Sequence, residues 1–192
     1  MPKRRTKLAR APLSKLRGTR KIPYDYELMR ESRELDPRKE SNFREYLGLL
    51  KTGTEYLFST SRFKELIDLA SSCPRRIING QVVIFVDRFR HPENARDPAH
   101  IVYGLIFVSS RIPKKWQRII IKHETDELIL RLAGYNCMGR RRSDHPIALR
   151  RERQALEKGG GLIPFLRWLK RHYPVSFEKR CKAWKIPMDS VK

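Results

Sequence analysis

The densest chemistry in this 192-residue chain lies in five consecutive residues, His123-Glu124-Thr125-Asp126-Glu127. On a helix, positions i and i+4 project from one face a turn apart. His123 and Glu127 can therefore offer an imidazole nitrogen and a carboxylate oxygen to one metal ion. Glu124 is rotated from His123 by about 100°, which suits a group that poises a water rather than one that binds the ion. Further along, His145 and Glu152 share a second helical face with Ala148, Leu149 and Leu156. A carboxylate on an inward-packing stripe costs several kcal/mol unless it is paired or bound to a cation. His123, Glu127, His145 and Glu152 are accordingly read as ligands of Zn2+ or another divalent metal held between two helices, with Glu124 as the catalytic base. The same acids could instead be structural and clamped by guanidinium groups, since arginine is in excess and Arg131 falls near the same face.

The surrounding pattern predicts an α+β fold. Phe43, Tyr46, Leu47 and Leu50 recur at helical spacing, as do Phe63, Leu66, Ile67 and Ala70, with Ser41 and Ser61 as N-caps. The period then changes. The segment 76–86 is β-branched and broken by Asn79-Gly80, which suits a type I′ hairpin, and 100–108 reads as one further strand apolar on both faces. Together they predict a small three-stranded, mostly antiparallel sheet packed with several helices. Pro113 opens the long helix, expected from about Lys114 to Ala133 with Gly134 as its cap. A helix over 146–158 follows, stopped by Gly159-Gly160-Gly161, and then two shorter ones near 164–172 and 175–184. Its polar side is expected to carry Arg118, Lys122, Thr125 and Asp126 on the long helix.

A strand at Leu105–Ser109, a helix bearing HETDE and a second helix with His145 and Glu152 together resemble the minimal zincin metallopeptidase domain, over about residues 76–158. The likeness is greatest to small intracellular zincins associated with DNA or mobile elements. The resemblance implies a strand that aligns an extended substrate, His123 as first zinc ligand, Glu124 as general base and His145 or Glu152 as third ligand. Glu127 stands where the second histidine of HExxH belongs; a carboxylate can bind zinc but weakens its Lewis acidity. The implied reaction is metal-assisted hydrolysis of a protein substrate. Tyr103 or His100 is a candidate for steadying an oxyanion, or an ordinary strand residue.

Lys and Arg number 43 against 21 acids, a net +22, which is tolerable if a polyanion neutralises it and releases counterions. Nucleic acid, DNA or RNA, is the expected partner. Residues 1–22 form a basic arm with nine cations and no acid, including Lys3, Arg4, Arg5, Lys7 and Arg10. Further clusters are Arg140-Arg141-Arg142, Arg150-Arg151-Arg153 and Lys179-Arg180-Lys182-Lys185, with Trp168, Tyr173 and Trp184 nearby to stack on bases. The expected organisation is the arm, then one domain over 23–192 that ends in a basic helical extension at 162–192. No segment approaches the roughly 20 apolar residues of a spanning helix. Cys73, Cys137 and Cys181 are odd in number and scattered, so a cytoplasmic, reducing location is expected. A non-catalytic nucleic-acid binder and a metal-dependent nuclease are the competing readings.

Overall fold

A computed structural model describes residues 36–57, 61–133 and 144–192. The basic arm, Gly134, Cys137 and the Arg140-Arg141-Arg142 run fall outside the described residues, as do the side chains of Ser41, Ser61 and Phe63. The chain opens with α1 (Glu40–Leu57) and α2 (Ser61–Ser72). It continues through β1 (Arg75–Ile78), β2 (Gln81–Val86), β3 (Ala99–Val102) and β4 (Leu105–Ser109). Four helices follow: α3 (Lys114–Leu132), α4 (Asp144–Lys158), α5 (Leu162–His172) and α6 (Pro174–Trp184).

The α+β class is as the sequence predicts, but the sheet has four strands in the order β1-β2-β4-β3. It is mixed, because β2 and β4 run parallel while β1–β2 and β3–β4 are antiparallel hairpins. The fourth strand arises where a single strand was expected. Tyr103 and Gly104 both take positive φ, 48° and 77°, and fold the segment back on itself just as Asn79 and Gly80 do at 52° and 75°. A tyrosine rarely accepts that backbone. Here it is held by the Tyr46 hydroxyl of α1, which donates to the Tyr103 carbonyl in a buried hydrogen bond.

Alternation along the strands feeds two cores. Val82, Ile84, Val86, Leu105 and Phe107 face α1 and α2, where Phe43, Tyr46, Leu47, Leu50, Leu66, Ile67 and Ala70 are buried at the predicted spacing. Val83, Ile106 and Val108 face the other way, against Trp116, Ile120, Ile121 and Leu128 of α3. The segment 162–192 is part of this second core, contributing Phe165, Leu166, Leu169, Phe177, Cys181 and Trp184. Helix α3 is therefore wrapped on most sides. Thr125 and Asp126, expected on its polar side, are buried at 4% and 7% exposure. Thr125 returns its hydroxyl proton to the Ile121 carbonyl at 2.7 Å, and Asp126 is paired with Lys122 at 2.9 Å and Arg151 at 3.2 Å. No helix among the described residues is long and apolar enough to cross a membrane.

Candidate metal centre

Helix α3 brings His123 and Glu127 to the side on which α4 packs, and the first turn of α4 delivers His145. One donor atom from each of these three residues lies within 4.8 Å of the others, so the group could hold a metal ion. His123 Nε2 is 2.9 Å from Glu127 Oε1, and His145 Nδ1 contacts that same oxygen. The two imidazole rings meet edge to face at 5.3 Å between centroids. Since a carboxylate only accepts, the protons of both contacts sit on the histidine nitrogens. A divalent ion would replace them, giving two nitrogens and an oxygen, a donor set suited to zinc.

Electrostatics around these atoms are strongly perturbed. Burial opposes the charge on His123, but the Glu152 carboxylate and the hydrogen bond to Glu127 outweigh it and raise the imidazole to about 10. Burial would raise Glu127, yet its hydrogen bonds with His123 and His145 hold it well below the usual carboxylate range. Its second oxygen accepts from Arg131 Nη2 at 2.8 Å, while Arg131 Nε reaches Asp144 at the start of α4.

Glu152 departs from expectation. It is buried, but its two oxygens are gripped by the Arg180 guanidinium, Nε to Oε2 and Nη2 to Oε1, both at 3.1 Å. Burial is again overcome, by Arg180 and His123, and the carboxyl falls to about 2. Glu152 therefore does not join the converging donors. Its Oε2 stands 3.2 Å from the buried His123 Nδ1, an ion-pair contact whose angle falls short of a hydrogen bond. That arrangement fits a metal site, because a ligating histidine commonly gives its other ring N–H to a carboxylate that fixes its tautomer and orientation.

Glu124 sits one residue along from His123, half-buried, and its carboxylate makes no hydrogen bond or ion pair with any described residue. Burial first, and then the charge of Glu127, push it up to about 8. A carboxyl with no hydrogen-bond partner, raised toward neutrality next to His123, is suited to moving a proton.

The oxyanion candidates lie elsewhere. His100 alternates with Ala99 and Ile101 onto the α1 face of the sheet, where its Nε2 lies 2.7 Å from the Asn94 carbonyl oxygen and its ring meets Phe89 at 5.1 Å. Tyr103 is buried in the same layer. Both are strand and turn residues on the side of the sheet away from α3. β4 also cannot align a substrate as expected, since both of its edges are paired, to β2 and β3. The edge strand on that side is β3.

Of the basic clusters, Arg150, Arg151, Lys179, Lys182 and Lys185 are exposed. Arg180 is not, at 5% exposure, and Trp184 is a core residue at 4% whose indole N–H donates to the Leu149 carbonyl at 3.0 Å. Arg180 is the site-supporting residue that the linear pattern conceals among lysines. Its spacing with Phe177, Cys181 and Trp184 at i, i+3, i+4 and i+7 is the signal that places it inward. No family model, curated protein or solved structure matches the chain.

Proposed function

We propose that this protein is a zincin-like, divalent-metal hydrolase, zinc being the preferred ion and a peptide bond the bond cleaved, and that its basic surface holds it near nucleic acid. The observation that carries this reading is the convergence of His123, Glu127 and His145 with an unpartnered Glu124 beside them. Three protein donors leave a position open, as catalytic zinc sites do and structural ones do not. When bound, the ion would supply Lewis acidity toward a carbonyl oxygen and toward water. Glu124 takes up a proton during attack and returns it to the leaving amine, a role matched by its raised pKa. Glu152, fixed by Arg180, orients His123, and Arg131 occupies Glu127 Oε2 so that Oε1 is turned to the histidines.

A second reading rests on the same arginines. If Arg131 and Arg180 fully balance Glu127 and Glu152, the network is a structural lock and the protein a non-catalytic nucleic-acid binder. Elemental analysis after mild purification, paired with casein hydrolysis with and without chelator, separates the two. The hydrolase reading expects close to one zinc per chain and chelator-sensitive cleavage, both lost in Glu127→Ala. A chain that neither copurifies with nor takes up divalent metal rejects it. Plasmid and RNA in parallel incubations expose a nuclease instead.

A further inference from the structure

A cleft of about 510 Å³ opens at the N-terminal end of α3, away from the middle turn that carries His123. It lies beyond the carboxyl ends of the parallel strands β2 and β4, where open sheets with parallel strands commonly place ligands. Asp87, Arg88, Phe89 and Arg111 line one side, following those strands, and Trp168, His172 and Tyr173 toward the end of α5 line the other. Pro113 at its rim caps α3 ten residues before His123, roughly 15 Å along the axis, so this cleft and the metal centre are separate places.

The aromatic wall is ordered from within. Trp168 stacks on the fully buried Phe165 at 5.9 Å, and His172 and Tyr173 lean on the same indole at 5.8 Å and 5.4 Å. The core thus anchors one side of Trp168 and leaves it half-buried, whereas Trp116 and Trp184 are buried at 6% and 4% exposure. The polar groups at the cleft are unspent: the side chains of Arg88, Trp168, His172 and Tyr173 make no hydrogen bond with any described residue. Arg111 is tied only to exposed Asp87, at 3.2 Å. Flat rings for stacking beside guanidinium groups for phosphate make the pairing that recognises an unpaired base and its backbone.

We infer that this cleft binds single-stranded nucleic acid, one or more unpaired bases stacking on Trp168 and Tyr173 while Arg88 and Arg111 contact the flanking phosphates. A strand suits it better than a lone nucleotide because further exposed cations adjoin the lining residues in the chain, Arg90 and Arg96 beside the strand-end residues and Lys114 and Arg171 beside Pro113 and His172. The inference rests on the nucleic-acid part of the proposed function and not on its metal chemistry.

The test is tryptophan fluorescence of the full chain titrated with a short oligothymidylate, with thymidine monophosphate, with duplex DNA and with heparin. Trp168 is the one half-buried tryptophan, so stacking quenches its emission saturably with the oligothymidylate, while the monophosphate binds far more weakly and heparin binds without quenching. Trp168→Ala weakens oligothymidylate binding on the order of tenfold and leaves duplex binding unchanged; Trp168→Phe, which keeps a ring on Phe165, recovers part of it. Arg88→Ala, at an exposed position, weakens binding and flattens its salt dependence. Unquenched oligothymidylate binding, equal affinity for the monophosphate, or unchanged affinity in both Trp168→Phe and Arg88→Ala overturns the inference. If duplex DNA binds and the oligothymidylate does not, the cleft alone is refuted; if neither binds, the nucleic-acid reading falls with it.

Discussion

The Arg180 guanidinium of α6 meets both oxygens of Glu152 on α4, each at 3.1 Å, where neither side chain is reached by solvent to any useful extent. Ser176, one turn earlier on α6, takes a further guanidinium hydrogen bond through its hydroxyl. Removing the arginine strands a buried carboxylate, so Arg180→Ala is expected to cost about 3–5 kcal/mol. The double change Arg180→Met, Glu152→Leu should unfold at higher urea than Arg180→Ala alone. Equal midpoints for the two would mean that the pair is solvated in solution.

The metal-free protein should be most stable in mildly acidic solution, and the signs are these. Glu152 falls from 4.5 to about 2 on folding and Glu127 is also lowered, so their stabilisation is present above 4.5 and lost as pH falls through the folded values. Glu124 rises from 4.5 to about 8 and His123 from 6.5 to about 10, so the folded state binds extra protons there and loses stability as pH rises across those windows. Urea midpoints measured from pH 3 to 10 check this, with Glu124→Gln flattening the limb between 4.5 and 8. A stability that climbs steadily from pH 5 to 8 would contradict the buried arrangement.

Metal binding must reverse part of that trend, because a ligating His123 has to give up its Nε2 proton. The stabilisation added by zinc is therefore expected to grow as pH rises from 6 toward 8.5. His123→Ala and His145→Ala should each abolish stoichiometric uptake, whereas Glu152→Gln, beside the unused nitrogen of His123, should weaken affinity by about 10–100-fold without abolishing it. Competition with a coloured chelator gives the ranking. Equal losses in Glu152→Gln and His145→Ala would place Glu152 among the ligands after all.

Helix faces were legible in the sequence because a period of 3.6 residues is local information: the stripes of α1 and α2 and the inward turn of His123 and Glu127 follow from it. What long-range packing decides was not. Glu152 reads as a ligand until Arg180, 28 residues away on another helix, is seen to hold it. Arg180 in turn reads as one more exposed cation among Lys179, Lys182 and Lys185. The β3–β4 hairpin was hidden because Tyr103 needs the remote Tyr46 hydroxyl to rest at positive φ.

That hairpin can be tested directly. Tyr46→Phe removes the hydroxyl that donates to the buried Tyr103 carbonyl, at a cost of about 1–3 kcal/mol. Gly104→Ala forces an L side chain to φ 77° and should add a loss of about 1–2 kcal/mol. Both act on the layer opposite the metal centre, so zinc affinity of the folded fraction is expected to stay put. A drop in affinity matching the drop in stability would show that the sheet transmits strain from one face to the other.

Glu124 offers the sharpest separation of chemistry from structure. Its carboxylate contributes no hydrogen bond to the fold and stands apart from the three converging donors, so Glu124→Gln should keep both stability near pH 5 and metal content. If it carries the proton during hydrolysis, cleavage falls roughly 10²–10⁴-fold while substrate affinity is little changed. Glu124→Asp, which retains the acid on a shorter stem, should recover a measurable part and keep a pH-dependent rate that the glutamine variant lacks. Full activity in Glu124→Gln with zinc bound would remove this residue from the reaction. A loss of metal in that variant would make it a ligand, and the constellation would then have no proton carrier.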